Sequence, residues 1–305
     1  MSATTPPPAG LHAWLTTEDV ASTRQARLGR LYRGWLLLLR NPPALAGLAV
    51  IALLILVALL APLFAPYDPN VQAMDRALLA PGAAHWFGTD EFGRDVFSRI
   101  LFGARTTLTT TVLVTVIVAP IGFLVGATAG LLGGWVDVAL MRVTDIFLAF
   151  PGLVLALAFS AALGPGLENA VIAISLTVWP PIARLARAET LTVRGSDYVV
   201  AAELQGAGRG RILLHHLVPI CAPSILVRLT LNMASIILTA AGLGFLGLGV
   251  QPPTAEWGAM AASGRQYLLD AWWLTTVPGL AILFVSLAFN LLGDGLRDIL
   301  DPRNG

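Results

Sequence analysis

The chain has 305 residues, of which 56% are hydrophobic and 12% charged, and its 19 basic and 18 acidic residues nearly cancel. A soluble domain carries about 25% charged residues, so an ordinary cytosolic domain and a disordered chain are excluded, and a net charge of +1 leaves no basic field for a nucleic acid. All 19 bases are arginine, which removes Walker A and Schiff-base chemistry, and the single Cys221 removes an intramolecular disulfide and a multi-cysteine metal site.

In chain order, residues 1–23 carry Pro6-Pro7-Pro8 and no apolar period, and are expected to form a disordered cytoplasmic N-terminus. Residues 24–43 alternate arginine with Leu28, Leu31, Tyr32 and Trp35. They read as an amphipathic helix on the cytoplasmic surface or as a plain positive flank. A bilayer core of about 30 Å takes about 20 helical residues. Ala44–Phe64, Thr107–Leu132, Met141–Leu163, Ala170–Ala183, Pro223–Leu248 and Trp273–Leu292 are the six candidate crossings, the fourth continuing through Trp179-Pro180-Pro181. An all-α integral membrane fold follows, because open sheet edges fail in lipid and alternating barrel segments are absent from the sequence.

With the N-terminus inside, thirteen arginines fall on cytoplasmic segments and four (Arg76, Arg94, Arg99, Arg265) outside, which places both termini in the cytoplasm. The expected organisation is then a first crossing at 44–65 and an extracytoplasmic segment at 66–104. A five-helix core follows at 105–293, with a cytoplasmic loop at 187–223, and the tail is 294–305.

Residues 187–223 interrupt a chain that otherwise stays near the membrane. Asp197 is placed to cap a short helix, Gly206 and Gly208 to end it, and a second short helix runs from Arg211 to Leu217 and stops before Pro219. Two short helices on a glycine turn form either a knob that docks in a partner's groove or a solvated loop. Gly122, Gly126 and Gly130 recur every four residues, a spacing that lets helix backbones approach. Gly242-Leu243-Gly244-Phe245-Leu246-Gly247 matches a dinucleotide fingerprint, but no strand precedes it. Arg142 and Asp145 can pair one turn apart. Asn232, Ser235 and Thr239 share one face, as do Ser286 and Asn290; such stripes either line a hydrated path or bond between helices. Asp90, Glu91, Arg94 and Asp95 meet an external partner or form a local salt-bridged cap. His12, His85, His215 and His216 form no H-E-x-x-H pair, no G-x-S-x-G elbow exists, and no catalytic or metal site is expected.

Tyr198-Val199-Val200-Ala201-Ala202-Glu203-Leu204-Gln205-Gly206-Ala207, followed by Ile212 and Leu217-Val218-Pro219, resembles the EAA loop of ABC-importer permeases. Phe87–Arg99, Phe245–Gly258 and Phe289–Arg303, in that order, narrow the resemblance to the C-type permease of dipeptide, oligopeptide and nickel importers. The resemblance implies the type I importer permease fold and a coupling role for Tyr198, Val200, Ala201, Ala202, Glu203, Gly206, Ala207, Arg209, Arg211, Ile212, His215 and Pro219. It also implies a second related permease, two cytoplasmic ATPase subunits that bind ATP and Mg, an extracytoplasmic binding protein, and no cofactor in this chain. Val200 stands where the family has its leading glutamate. Glu203, one turn on, either supplies that carboxylate or is solvated while Val200 docks. A nickel or other small-solute permease, and an ATPase-independent channel or secondary transporter, are the alternatives.

Overall fold

A computed structural model describes residues 11–16 and 22–300. Most of the expected disordered N-terminus lies outside the described residues, but Leu11–Thr16 forms a short helix, α1. It is held because the Gln25 amide donates to the Trp14 carbonyl (2.8 Å). Helix α2 (Thr23–Leu39) starts at Ser22, whose hydroxyl accepts from the Gln25 N–H. Asn41 caps α3 (Pro42–Phe64), the first crossing, with Pro42 and Pro43 in its first turn, where a missing N–H costs nothing.

Helix α4 (Val96–Leu132) has 37 residues, eleven more at its start than the second apolar stretch. The sequence reading put 96–104 in the external segment. Asp95 caps the helix there, and Val96, Leu101 and Ala104 are buried against other elements. At about 1.5 Å per residue it is about 55 Å long, so it extends well beyond the hydrocarbon core. The third crossing is not one helix. α5 (Gly134–Leu148) and α6 (Gly152–Leu163) meet at 89° across Ala149-Phe150-Pro151, because Pro151 cannot continue the hydrogen-bond ladder of α5. The fourth crossing is longer than expected: α7 (Leu167–Val178) and α8 (Pro180–Val193) run on as one rod, with Pro180 and Pro181 in the first turn of α8.

Helix α9 (Asp197–Leu204) follows, then α10 (Arg209–Arg211), a π-helical stretch (Ile212–Leu217) and α11 (Val218–Phe245). The expected stop before Pro219 does not occur. The widened π turn lies just N-terminal to the proline, where its ring would otherwise press on the preceding turn, and the helix continues into the fifth crossing. Helix α12 (Trp257–Gly264) and α13 (Trp273–Leu300) complete the chain. Residues 294–300, expected as tail, are the last turns of α13; residues 301–305 lie outside the described residues. Among the described residues five helical runs are long and apolar enough to cross a membrane, and the bent α5–α6 pair, counted as one span, makes the sixth.

Two cores hold the bundle. One gathers Ile51, Trp257, Trp273 and Phe289 from α3, α12 and α13, and the other Val118, Ile174, Ile182 and Ile236 from α4, α7, α8 and α11. Within the second core the contact of α4 with α8 is glycine-built. A Cβ on Gly122 would strike Ile182 and the Trp179 carbonyl, one on Gly126 the Ala183 carbonyl, and one on Gly130 the Thr190 side chain. The four-residue glycine spacing therefore serves packing of α4 on α8. The G-x-G-x-x-G match is the end of α11, with Gly244 pressed under the Glu256 carboxylate; no strand stands before it.

Gly126→Val is expected to lower the thermal stability of the purified protein by more than the about 1–3 kcal/mol typical of overpacking, since the obstacle is backbone. Gly152→Ala, into open space, is the matched control. Equal melting temperatures in thermal unfolding would contradict the packing role.

Candidate functional site

The elbow after α8 is built outward from a small core. Val199, Ile212 and Leu217 are fully buried and pack with Leu131 and Val193, so α9 lies across the ends of α4 and α8. Ser196 takes the N-cap position without a side-chain bond, which leaves Asp197 in the first turn instead of at the cap. A first-turn carboxylate still favours the helix dipole. At the other end Ala207 N–H donates to Ala202 O (3.0 Å) and Gly206 N–H to Glu203 O (2.9 Å). Gly206 holds φ +82°. That is a Schellman closure, with the left-handed residue a glycine because a side chain there is strained.

The other face of α9 points away from the bundle. Tyr198, Val200, Ala201, Glu203 and Leu204 are exposed, Leu204 at 85%. Glu203 makes no ion pair among the described residues. Ala202 and Ile212 are buried, while Arg209, Arg211, His215 and Pro219 are exposed and Ala207 half-buried. Two residues escaped the sequence reading. Leu204 is the most exposed apolar side chain of the elbow; its signal was an apolar residue out of step with Val199 and Ala202. His216, not His215, is tied in: its Nδ1 lies 2.9 Å from the Tyr198 hydroxyl, and the rings meet edge-on at 5.1 Å. That pair clips α9 to the π turn.

The external acidic and basic residues turn inward. Asp90 accepts from the N–H groups of Phe92 and Arg94 and from Arg94 Nε at 2.6 Å. Arg99 Nε stands 3.6 Å from the same carboxylate, and Glu91 lies 3.9 Å from Arg94. Asp95 accepts from Ser98 N–H and Oγ, both at 2.7 Å, and its other oxygen is 2.8 Å from His85 Nδ1. Asp90, Arg94, Asp95 and Arg99 are all at least 94% buried. Of the two readings of this motif, the geometry is that of the salt-bridged cap at the mouth of α4.

The proposed pathway stripes divide. Asn232 and Ser286 are buried, and among the described residues Asn232 Nδ2 and Ser286 Oγ have no hydrogen-bond partner. Ser235 and Asn290 are exposed, and Thr239 bonds back to the Ser235 carbonyl at 2.8 Å. Arg142 and Asp145 do not pair: Asp145 accepts from Arg184 Nη2 at 2.6 Å, and Arg142 stays exposed.

Glu256, inside the third motif of the resemblance, caps α12 by accepting from Gly258 and Ala259 N–H (2.8 and 2.7 Å). Burial raises the pKa of its carboxyl above the ordinary carboxylate range, with the two N–H bonds opposing. No group of three His, Cys, Asp or Glu side chains among the described residues is placed to hold a metal.

Comparison with known proteins fits this architecture. Residues 119–305 match the family described as "Binding-protein-dependent transport system inner membrane component", and residues 30–81 match the N-terminal transmembrane domain of oligopeptide transport permease C. The chain belongs to this family. It is an inner-membrane permease component of binding-protein-dependent transport systems. Similar relatives include a probable D,D-dipeptide transport system permease of Escherichia coli K12, 45% identical over 95% of this chain and 97% of that one. A di/tripeptide transport permease of Pseudomonas aeruginosa is 47% identical over 88% and 91%. The nickel transport permease of Escherichia coli K12 is 44% identical over 84% and 93%. Among solved structures, the MetNI methionine ABC transporter in inward-facing form superposes with a TM-score of 0.51, at 18% identity, over 66% of this permease and 96% of that chain. The fold is therefore that of an ABC importer permease.

Two outcomes follow from the elbow and the cap. Gly206→Val should cost about 1–2 kcal/mol locally, since a branched residue must hold a left-handed backbone. Co-purification should show the variant assembling with its partners while uptake is lost; wild-type uptake would contradict the turn. For Glu256, a raised carboxyl pKa stabilises the fold below the ordinary carboxylate pKa, and that contribution is lost as pH rises through the shifted value. Melting temperature should fall with pH across that window, and Glu256→Gln should flatten the slope.

Proposed function

We propose that this permease forms half of the translocation path of an ATP-driven importer of di- and oligopeptides. A second related permease supplies the other half, two cytoplasmic ATPase subunits bind ATP and Mg, and an extracytoplasmic binding protein delivers the peptide. The elbow carries this reading. An eight-residue helix closed by Gly206 rests on a private core and presents Tyr198, Val200, Glu203 and Leu204 outward, a shape suited to an ATPase groove. The peptide substrate is inferred from the relatives named above, and nickel is the competing cargo.

No chemistry on the substrate is assigned to this chain; its part is mechanical. Closure of the ATPase pair shifts α9, and the bundle changes the side on which its path opens. Reversing a two-state population from 1:99 to 99:1 takes about 5.5 kcal/mol of differential binding, which closure of the nucleotide-bound pair supplies. Ser235, Thr239 and Asn290 offer polar groups to a passing peptide backbone without a fixed charge, which suits tolerance of sequence.

Reconstituted with its partner subunits in liposomes, the permease should accumulate a labelled dipeptide only with ATP on the ATPase side. Uptake of nickel alone would give the nickel reading, and nucleotide-independent uptake by the permease by itself would overturn the importer reading. In the same system Glu203→Ala should lower substrate-stimulated ATP hydrolysis; an unchanged rate assigns the docking to Val200 and Leu204.

A further inference from the structure

Helix α5 is held differently from every other crossing element. Of its 15 residues only Thr144 is buried, and the Thr144 hydroxyl is spent on the Leu140 carbonyl within the helix. Trp135, Val138, Val143 and Ile146 are exposed. At its start Gly133 and Gly134 take φ +64° and +55°, with no side-chain cap. A Cβ on Gly134 would meet nothing within 4 Å. At its end the chain breaks by 89° into α6, and Phe147 rests edge-on against Trp179 at 5.4 Å. Both ends are thus jointed, and Phe147 marks the pivot.

Apart from Phe147 at the pivot, charge pairs tie α5 to α8. Asp137 receives both Nε and Nη2 of Arg187 (2.5 and 2.6 Å), and Asp145 receives Arg184 Nη2 (2.6 Å). Between the two helices lies an open cleft of about 500 Å³, bordered by these pairs, Val138, Met141 and Arg142. The other side of α8 is locked onto α4 through Gly122, Gly126 and Gly130, so α4 and α8 move as one body and α8 leads straight into the elbow.

We propose that α5 is a jointed arm latched to the α4–α8 body by Asp137–Arg187 and Asp145–Arg184, which act as positioning residues for transport. This rests on the importer reading. An apolar seam would keep α5 in place permanently. Ion pairs whose side chains are about one-sixth to one-half exposed regain water when they part, so they hold weakly enough to release and firmly enough to define a position. The bidentate pair lies one turn from the Gly133–Gly134 joint with α4, and the single-contact pair lies near the break into α6.

The test uses the assembled complex in liposomes, with spin labels at Val138→Cys and Ala188→Cys in a Cys221→Ala background. Arg187→Gln and Asp137→Asn should broaden the label-to-label distance distribution across the cleft without nucleotide, and lower peptide uptake per ATP hydrolysed about fivefold. The exchange Asp137→Arg with Arg187→Asp should restore both. Arg184→Gln, at the more exposed pair, repeats the test should the first variants fail to assemble. Unchanged distances in the single variants, or an exchange that restores neither quantity, overturn the latch. If the wild-type complex shows no ATP-driven uptake, the importer reading fails, and the distances still decide the latch.

Discussion

The close approach of α4 to α8 is the contact on which the mechanics of this permease depend. Lipid supplies no hydrophobic force between helices, so two rods stay together only if their backbones come close enough for dispersion to accumulate. Three glycines at four-residue spacing remove the side chains that would prevent it, and Ala183, Ala186 and Thr190 fill the space they leave. The result is a close-packed pair that carries the elbow at the C-terminal end of α8. Arg194 strengthens that junction by donating to the Gly130 carbonyl at 2.8 Å, the last glycine of the row. The elbow is therefore rooted in a close-packed helix pair.

Charge is distributed around that pair by the same solvent logic. An ionised group inside the bilayer is costly unless paired, and three sets of charged groups in the permease are each held by distinct partners. Before α4, Asp90, Arg94, Asp95 and Arg99 form a buried knot that fixes where the helix begins. Near α12, Glu256 satisfies two N–H groups of a helix that packs against α11 and α13. Between α5 and α8 the pairs are more open, and there they join parts that the glycine row leaves separate. Burial makes the first two devices structural; exposure makes the third reversible.

Sequence alone carried the class, the number of crossings, the elbow and the glycine joint, because each rests on a local property. Apolar length, a glycine at a left-handed position and a four-residue small-residue period are visible without tertiary contacts. What escaped depends on distant residues. Pro151 was visible, but whether a proline kinks a helix or breaks it by 89° is set by what packs on either side. Asp145 had Arg142 one turn away as an obvious mate, yet it pairs with Arg184, 39 residues on. Proline at 219 read as a stop, and a π turn carried the helix through. Local rules failed where the backbone departs from regular helix, at 149–151 and 212–217, and where a partner comes from a distant helix, as for Asp145.

The elbow itself shows how little sequence a compact helical knob requires. Its private core is three side chains, its closure one glycine, and its outer clip the Tyr198–His216 pair. Because the core residues come from α9, the π stretch and the ends of α4 and α8, one small knob ties the close-packed α4–α8 pair to the root of α11. On the importer reading proposed above, any displacement of α9 would therefore be shared between the glycine-packed pair and the fifth crossing. The two enter the knob through different backbone geometries, regular helix on one side and a π turn on the other.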